Sequence, residues 1–160
     1  MKRFVLLLGV IYSSLLSQPI NAAPALTHTV QNAQAETLTL EEFKGKVIYV
    51  DFWASWCGPC RKSFPWMNAM QAKYAQQGLA IVAINLDSDK ALANKFLSLL
   101  PANFHIRFDP EGSTAAAFDL QGMPSSYLFN RKGELVQSHI GFFTEDTDQY
   151  EQELITLLKE

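Results

Sequence analysis

Two short segments constrain the chain most: Val47 to Ala54 (VIYVDFWA) and Leu79 to Leu86 (LAIVAINL). Both are almost continuously apolar, β-branched or aromatic, the pattern of strands covered on both faces. The stretch between them opens on Cys57-Gly58-Pro59-Cys60 and closes at Gly78. It reads as a helix running to about Gln77, because proline suits a first helical turn and glycine a helix end. Strand, helix and strand over this length require a crossover, which makes the strands parallel and the unit right-handed.

The rest of the chain extends that unit. A length of 160 residues fits one domain, and 48% hydrophobic residues supply one core. Thr37 to Leu40 reads as a short edge strand and Glu41 to Lys46 as a turn punctuated by Gly45. After Asp87-Ser88-Asp89 a helical stretch runs to Leu100 and stops at Pro101. His105 to Phe108 reads as a short strand and Ser113 to Phe118 as a short helix. Ser125 to Phe129 and Leu135 to Ile140 form a hairpin around Asn130-Arg131-Lys132-Gly133. A last helix from about Glu145 to Lys159 puts Tyr150, Leu154, Ile155, Leu157 and Leu158 on one side. The order is βαβ, a helical insert, then ββα, an α/β fold with a central mixed sheet flanked by helices.

The first residues follow different rules. Met1-Lys2-Arg3 is positively charged, and Phe4 to Leu16 is apolar except at Gly9, Tyr12, Ser13 and Ser14. Small residues follow in Asn21-Ala22-Ala23-Pro24-Ala25. These are the three parts of a secretory signal, and the apolar run is short of the roughly 18 residues of a membrane anchor. Residues 1–25 are therefore expected to be a removable signal that places the mature protein in the periplasm. Residues 26–36, polar and aperiodic, read as a leader without fixed order, and 37–160 as the folded domain.

Charge narrows the partners. Without Lys2 and Arg3, the 13 basic residues become 11 against 16 acidic ones, a net of −5. An acidic domain without a Lys/Arg cluster is a poor match for nucleic acid or an anionic membrane surface. Proteins are the better partners.

The chain has two cysteines, both inside one tetrapeptide. A Cys57–Cys60 bond closes almost no loop, so stapling gives it little entropic value. At a helix start, however, two cysteines three apart have Cα atoms roughly 5 Å apart, within bridging range. Unpaired backbone N–H groups and the helix dipole favour a thiolate at Cys57. Cys57 would then attack a client disulfide, and Cys60 would resolve the mixed disulfide. A zinc half-site competes with this reading, but it lacks a second cysteine pair, and His28, His105 and His139 are scattered. No metal and no bound cofactor is implied.

Asp51 interrupts the most apolar strand. A carboxylate there is costly to bury and is expected to hold a raised pKa. One reading makes it the proton acceptor for Cys60; the other makes it a hydrated residue at a strand end. Trp56 suits an exposed platform beside Cys57, whereas Trp53, Trp66 and the phenylalanines suit the core.

Val50-Asp51-Phe52-Trp53-Ala54-Ser55-Trp56-Cys57-Gly58-Pro59-Cys60 resembles the active-site segment of thioredoxins. Pro65 matches the proline inside their active-site helix, Gly122-Met123-Pro124 their Gly-X-cis-Pro, and Gly141 a later glycine. Export and the insert from about Asp89 to Phe118 resemble the TlpA-type periplasmic thioredoxins, which include the cytochrome c maturation reductants. The resemblance implies a thioredoxin fold and a cis Pro124 facing Cys57. Trp56, Gly58, Pro59, Met123 and Pro124 would then contact the client. Two departures stand out: Ser125 and Ser126 follow Pro124 where cytochrome-maturation members carry Glu, and Ala83 replaces a lysine near the buried aspartate.

The expected function is thiol–disulfide exchange with disulfide-containing or dithiol envelope proteins, in the reducing direction, with a membrane thiol reductase as electron donor. Gly58-Pro59 carries no histidine to stabilise the Cys57 thiolate, which argues for a potential near that of thioredoxin, about −270 mV. The alternatives are a disulfide-donating oxidant or isomerase, and a thioredoxin-fold copper-binding protein.

Overall fold

The computed structural model describes residues 24–160. Of the expected signal segment only Pro24 and Ala25 fall among them, and the cleavage expectation lies outside the described residues. No helix among the described residues is long and apolar enough to cross a membrane.

The strands are β1 (Thr29–Gln31), β2 (Thr37–Thr39), β3 (Val47–Trp53), β4 (Leu79–Asn85), β5 (His105–Phe108), β6 (Ser125–Phe129) and β7 (Leu135–Ile140). Among the described residues they form one seven-stranded sheet in the order β2-β1-β5-β4-β3-β6-β7. β3 and β4 pair in parallel from Val47↔Leu79 to Trp53↔Asn85, and β6 runs antiparallel against the other edge of β3. The expected thioredoxin-like mixed sheet is therefore present. β3 and β4 lie inside it and are buried along their whole length, which is why their sequences do not alternate.

Four helices are described: α1 (Cys60–Tyr74), α2 (Lys90–Leu99), α3 (Ser113–Ala117) and α4 (Thr147–Leu158). Strand periodicity divides the core into two layers. Val47, Tyr49 and Trp53 join Leu79, Ile81, Ala83 and Leu128 beneath Phe64, Met67 and Tyr74 of α1, Phe96 of α2 and Leu154 of α4. Ile48, Val50 and Phe52 face the other way, with Ala80, Val82, Ile84 and Phe129, toward Leu40, Phe43, Ala115 and Phe118.

Three expectations change. Residues 26–36 are not a leader without fixed order: β1 pairs with β2 and β5, and Leu26 and Val30 are buried in the second layer. One buried side chain in a three-residue strand leaves no period to read. The active-site helix starts at Cys60 rather than Cys57, and its α-helical part ends at Tyr74. A single 3-10 turn then leads to Gly78, whose φ of 97° is in the left-handed region glycine tolerates. Among the phenylalanines, Phe143 is half-exposed rather than part of the core.

Candidate active site

The cysteine pair sits where β3 gives way to α1. Pro59 occupies the N-cap position, where a missing N–H costs nothing, and Cys60 is the first helical residue. Cys57 and Cys60 are bonded, with Cα atoms 5.4 Å apart. The Cys57 N–H donates to the Ala54 carbonyl at 3.0 Å, closing the turn out of β3. The Cys60 N–H donates to Cys57 Sγ at 3.2 Å. That donor lies at the positive end of the α1 dipole, so it would stabilise a thiolate on Cys57 once the bond is reduced. Cys57 is 4% exposed and Cys60 fully buried, which gives the two sulfurs unequal access to a client.

Asp51 is 2% exposed and lies on the same sheet face as Tyr49 and Trp53, in the layer that holds both cysteines. Burial drives its pKa well above the ordinary carboxylate range. Its cross-strand neighbours are Ala83 on β4 and Ser126 on β6, so no cation stands in register beside it. Asp51 Oδ2 and Trp53 Nε1 are the buried side-chain atoms without a hydrogen-bond partner among the described residues. Asp51 is thus a buried carboxyl group whose charged form its surroundings disfavour, and not a hydrated residue at the end of a strand. Tyr49, two residues before it, is pushed beyond the normal phenol range by burial and then by the Asp51 charge.

The Met123–Pro124 peptide bond is cis. Pro124 is buried at the start of β6, and its carbonyl accepts from Gly141 N–H at 2.7 Å. Met123 is half-buried and touches both core layers. Trp56 is 72% exposed next to Cys57, while Trp53 is fully buried against Phe64 and Phe96. Trp66 is half-buried between Tyr49 and Tyr150. Ile140 and Phe143, on either side of Gly141, add exposed apolar surface near the Pro124 turn. Sequence reasoning gave these two no part in the site.

It also missed the clamp on the active-site loop. Asp87, 5% exposed, accepts from Ser55 N–H and Ser55 Oγ, both at 2.8 Å, and from Asn85 Nδ2 at 2.8 Å. Asn85 Oδ1 in turn accepts from Asp87 N–H at 3.0 Å. The carboxylate at the end of β4 thereby fixes the backbone two residues before Cys57. The available signal was a pair of polar residues, Asn85 and Asp87, closing an otherwise apolar strand. Asp87→Ala strands buried donors and is expected to lower stability by about 3 kcal/mol. Urea unfolding of the oxidised protein measures this, and a loss below about 0.5 kcal/mol would show that the clamp carries no load.

A family model for Redoxin matches residues 18–154. The thiol-disulfide oxidoreductase ResA of Bacillus subtilis (strain 168) is 30% identical over 116 residues, which are 72% of this chain and 65% of ResA. The chain thus spans just under two thirds of that relative. ResA of Halalkalibacterium halodurans is 28% identical over 131 residues, 82% of this chain and 74% of that protein. A solved structure from Chlorobium tepidum, named for the thiol:disulfide interchange protein DsbE, superimposes with a TM-score of 0.81 at 43% identity. The match covers 85% of this chain and 96% of that one. With the fold, the bonded cysteine pair and these matches together, the chain belongs to the Redoxin family, among its thioredoxin-fold thiol-disulfide oxidoreductases of the ResA/DsbE type.

Proposed function

We infer that this protein is a periplasmic reductant of disulfides in envelope proteins. The Cys57 thiolate attacks one sulfur of the client disulfide; that bond breaks, and the other client sulfur leaves as a thiolate. Cys60 then gives its proton to Asp51 and attacks Cys57 Sγ, forming the Cys57–Cys60 bond and releasing the second client thiolate. Two electrons pass from protein to client. A donor dithiol, in our reading that of a membrane thiol reductase, must return them. Trp56, Gly58 and Pro59 on one side and Met123 and Pro124 on the other hold the client, with the Met123 backbone positioned for strand-like pairing. The charged start and short apolar run of the N-terminus support export.

The observation that carries the direction is the dipeptide between the cysteines. Gly58 and Pro59 bring no side-chain donor to Cys57, so the Cys60 N–H is its hydrogen-bond partner among the described residues. A thiolate held by so few groups leaves the reduced form less favoured than in a strong oxidant. The pair should equilibrate near thioredoxin's potential of about −270 mV, not near the about −120 mV of a strong periplasmic oxidant. Equilibration against dithiothreitol or glutathione gives the number. A potential above about −180 mV would assign the protein to disulfide donation or isomerisation instead.

A further inference from the structure

A groove of about 210 Å³ lies beside the cysteine pair, between the active-site loop, α1 and α2. Ser55, two residues before Cys57, and Arg61, directly after Cys60, line it together with Leu92, Lys95, Phe96 and Leu99 of α2. The Arg61 guanidinium lies over the Phe96 ring, 4.7 Å from its centre. Leu92 and Leu99 are 47% and 70% exposed. They stand two turns apart on α2, about 11 Å, with Lys95 between them. A single exposed leucine needs no explanation, but two that line one groove form a patch for a partner to cover.

Charge makes the patch selective. α1 and α2 carry five basic residues, Arg61, Lys62, Lys73, Lys90 and Lys95, and no acidic one. The whole chain leans the other way, with 16 acidic residues against 13 basic. Lys73 pairs with Glu151 and Lys90 donates to the Ala33 carbonyl, whereas Arg61 and Lys95 form no ion pair among the described residues. The carboxylates between β4 and α2 are committed elsewhere. Asp87 holds Ser55 and Asn85, and Asp89 caps α2 through the Ala91 N–H.

We propose that this groove docks a segment of the client protein next to its reactive cysteine, and that the segment carries a carboxylate flanked by apolar side chains. The guanidinium fork of Arg61 takes the carboxylate in paired hydrogen bonds, and Lys95 adds a second positive charge. Leu92 and Leu99 cover the apolar side chains on either side. Roughly three extended residues match the length between the two leucines. Ser55 and Arg61 bracket the cysteine pair, so one short stretch of client meets both Cys57 and the groove.

This inference rests on the reading of protein disulfides as the substrates, and the test separates the two. Peptides with one cysteine, activated as its thionitrobenzoate disulfide, release coloured thionitrobenzoate when Cys57 of the reduced protein attacks the peptide sulfur. The residues next to that cysteine are Leu-Glu-Leu, Leu-Gln-Leu, Leu-Lys-Leu or Ser-Glu-Ser, placed before it in one set and after it in another. In one of the two sets Leu-Glu-Leu should react about fivefold faster than Leu-Gln-Leu, the scale of an exposed ion pair, and Leu-Lys-Leu more slowly still. That preference should fade in about 1 M salt. Net repulsion from an acidic chain works against an acidic peptide, so the preference reports the groove and not long-range steering. Arg61→Gln/Lys95→Gln should erase it and Arg61→Glu/Lys95→Glu reverse it. Each ratio is taken within one variant, so that any change in Cys57 reactivity cancels. Leu92→Ser/Leu99→Ser should remove the advantage of Leu-Glu-Leu over Ser-Glu-Ser. Equal rates for the Glu, Gln and Lys peptides, all above that of a blocked cysteine alone, would overturn the groove and leave protein disulfides as the substrates. If no peptide exceeds the blocked cysteine, both readings fall. Equal peptide rates together with self-association that Leu92→Ser/Leu99→Ser abolishes would make the groove a contact between copies, and the proposal falls there too.

Discussion

Cys57→Ser is expected to reduce disulfide exchange to the uncatalysed background, whereas Cys60→Ser accumulates nearly stoichiometric mixed disulfides with client proteins. The asymmetry follows from the two environments. Cys57 reaches the surface beside exposed Trp56 and receives the first N–H of α1, so its sulfur can be both ionised and approached. Cys60 is fully buried beneath the start of that helix and can meet only a sulfur already delivered to Cys57. Removing the resolving thiol therefore stops the cycle after the first bond exchange, and removing the attacking thiol prevents it from starting. Non-reducing electrophoresis with mass analysis of the trapped adducts reads the difference. Equal trapping by the two variants would contradict the division of labour.

The parts of this site that could be read in the sequence are those encoded locally. β3, β4 and the Cys57–Cys60 turn are legible because whole-length burial leaves continuous apolar runs, and because proline and glycine mark the ends of the helix between them. Asp51 is legible as an exception to such a run. The cis bond before Pro124 came only from resemblance, since the isomer has no local signature in the chain. What stayed hidden depends on distance in sequence. Ser55 and Asp87 are 32 residues apart, and only the parallel register of β3 and β4 brings them together. The His139–Glu153 pair likewise requires the placement of β7 in the sheet and the packing of α4, neither of which a period reveals. Phe143 could not be told from a core phenylalanine, because exposure depends on what covers the turn at Gly141.

Asp51→Asn is expected to make the oxidised protein more stable at neutral pH, by an amount that grows with pH. The sign follows from proton linkage. The native carboxyl group has a pKa well above the ordinary range because burial penalises its charged form, whereas in the unfolded chain it ionises near 3.9. Between those two values the native state holds one more proton than the unfolded state, so stability falls as pH rises, by about 1.4 kcal/mol per unit. Below the unfolded pKa both states are protonated and the contribution is whole; above the folded pKa the loss is complete and constant. Asparagine has no proton to exchange, so native and variant curves should nearly coincide near pH 4 and diverge steadily above it. Urea unfolding of the disulfide-bonded forms across that range isolates Asp51, because bonded cysteines do not titrate. A difference that stays constant with pH would mean that Asp51 titrates alike in both states. The more stable variant should also be the slower one, since the buried carboxylate it removes is the group that takes the proton from Cys60. Destabilisation of the resting protein and acceleration of resolution would then share one physical origin, the cost of an unpaired charge at Asp51.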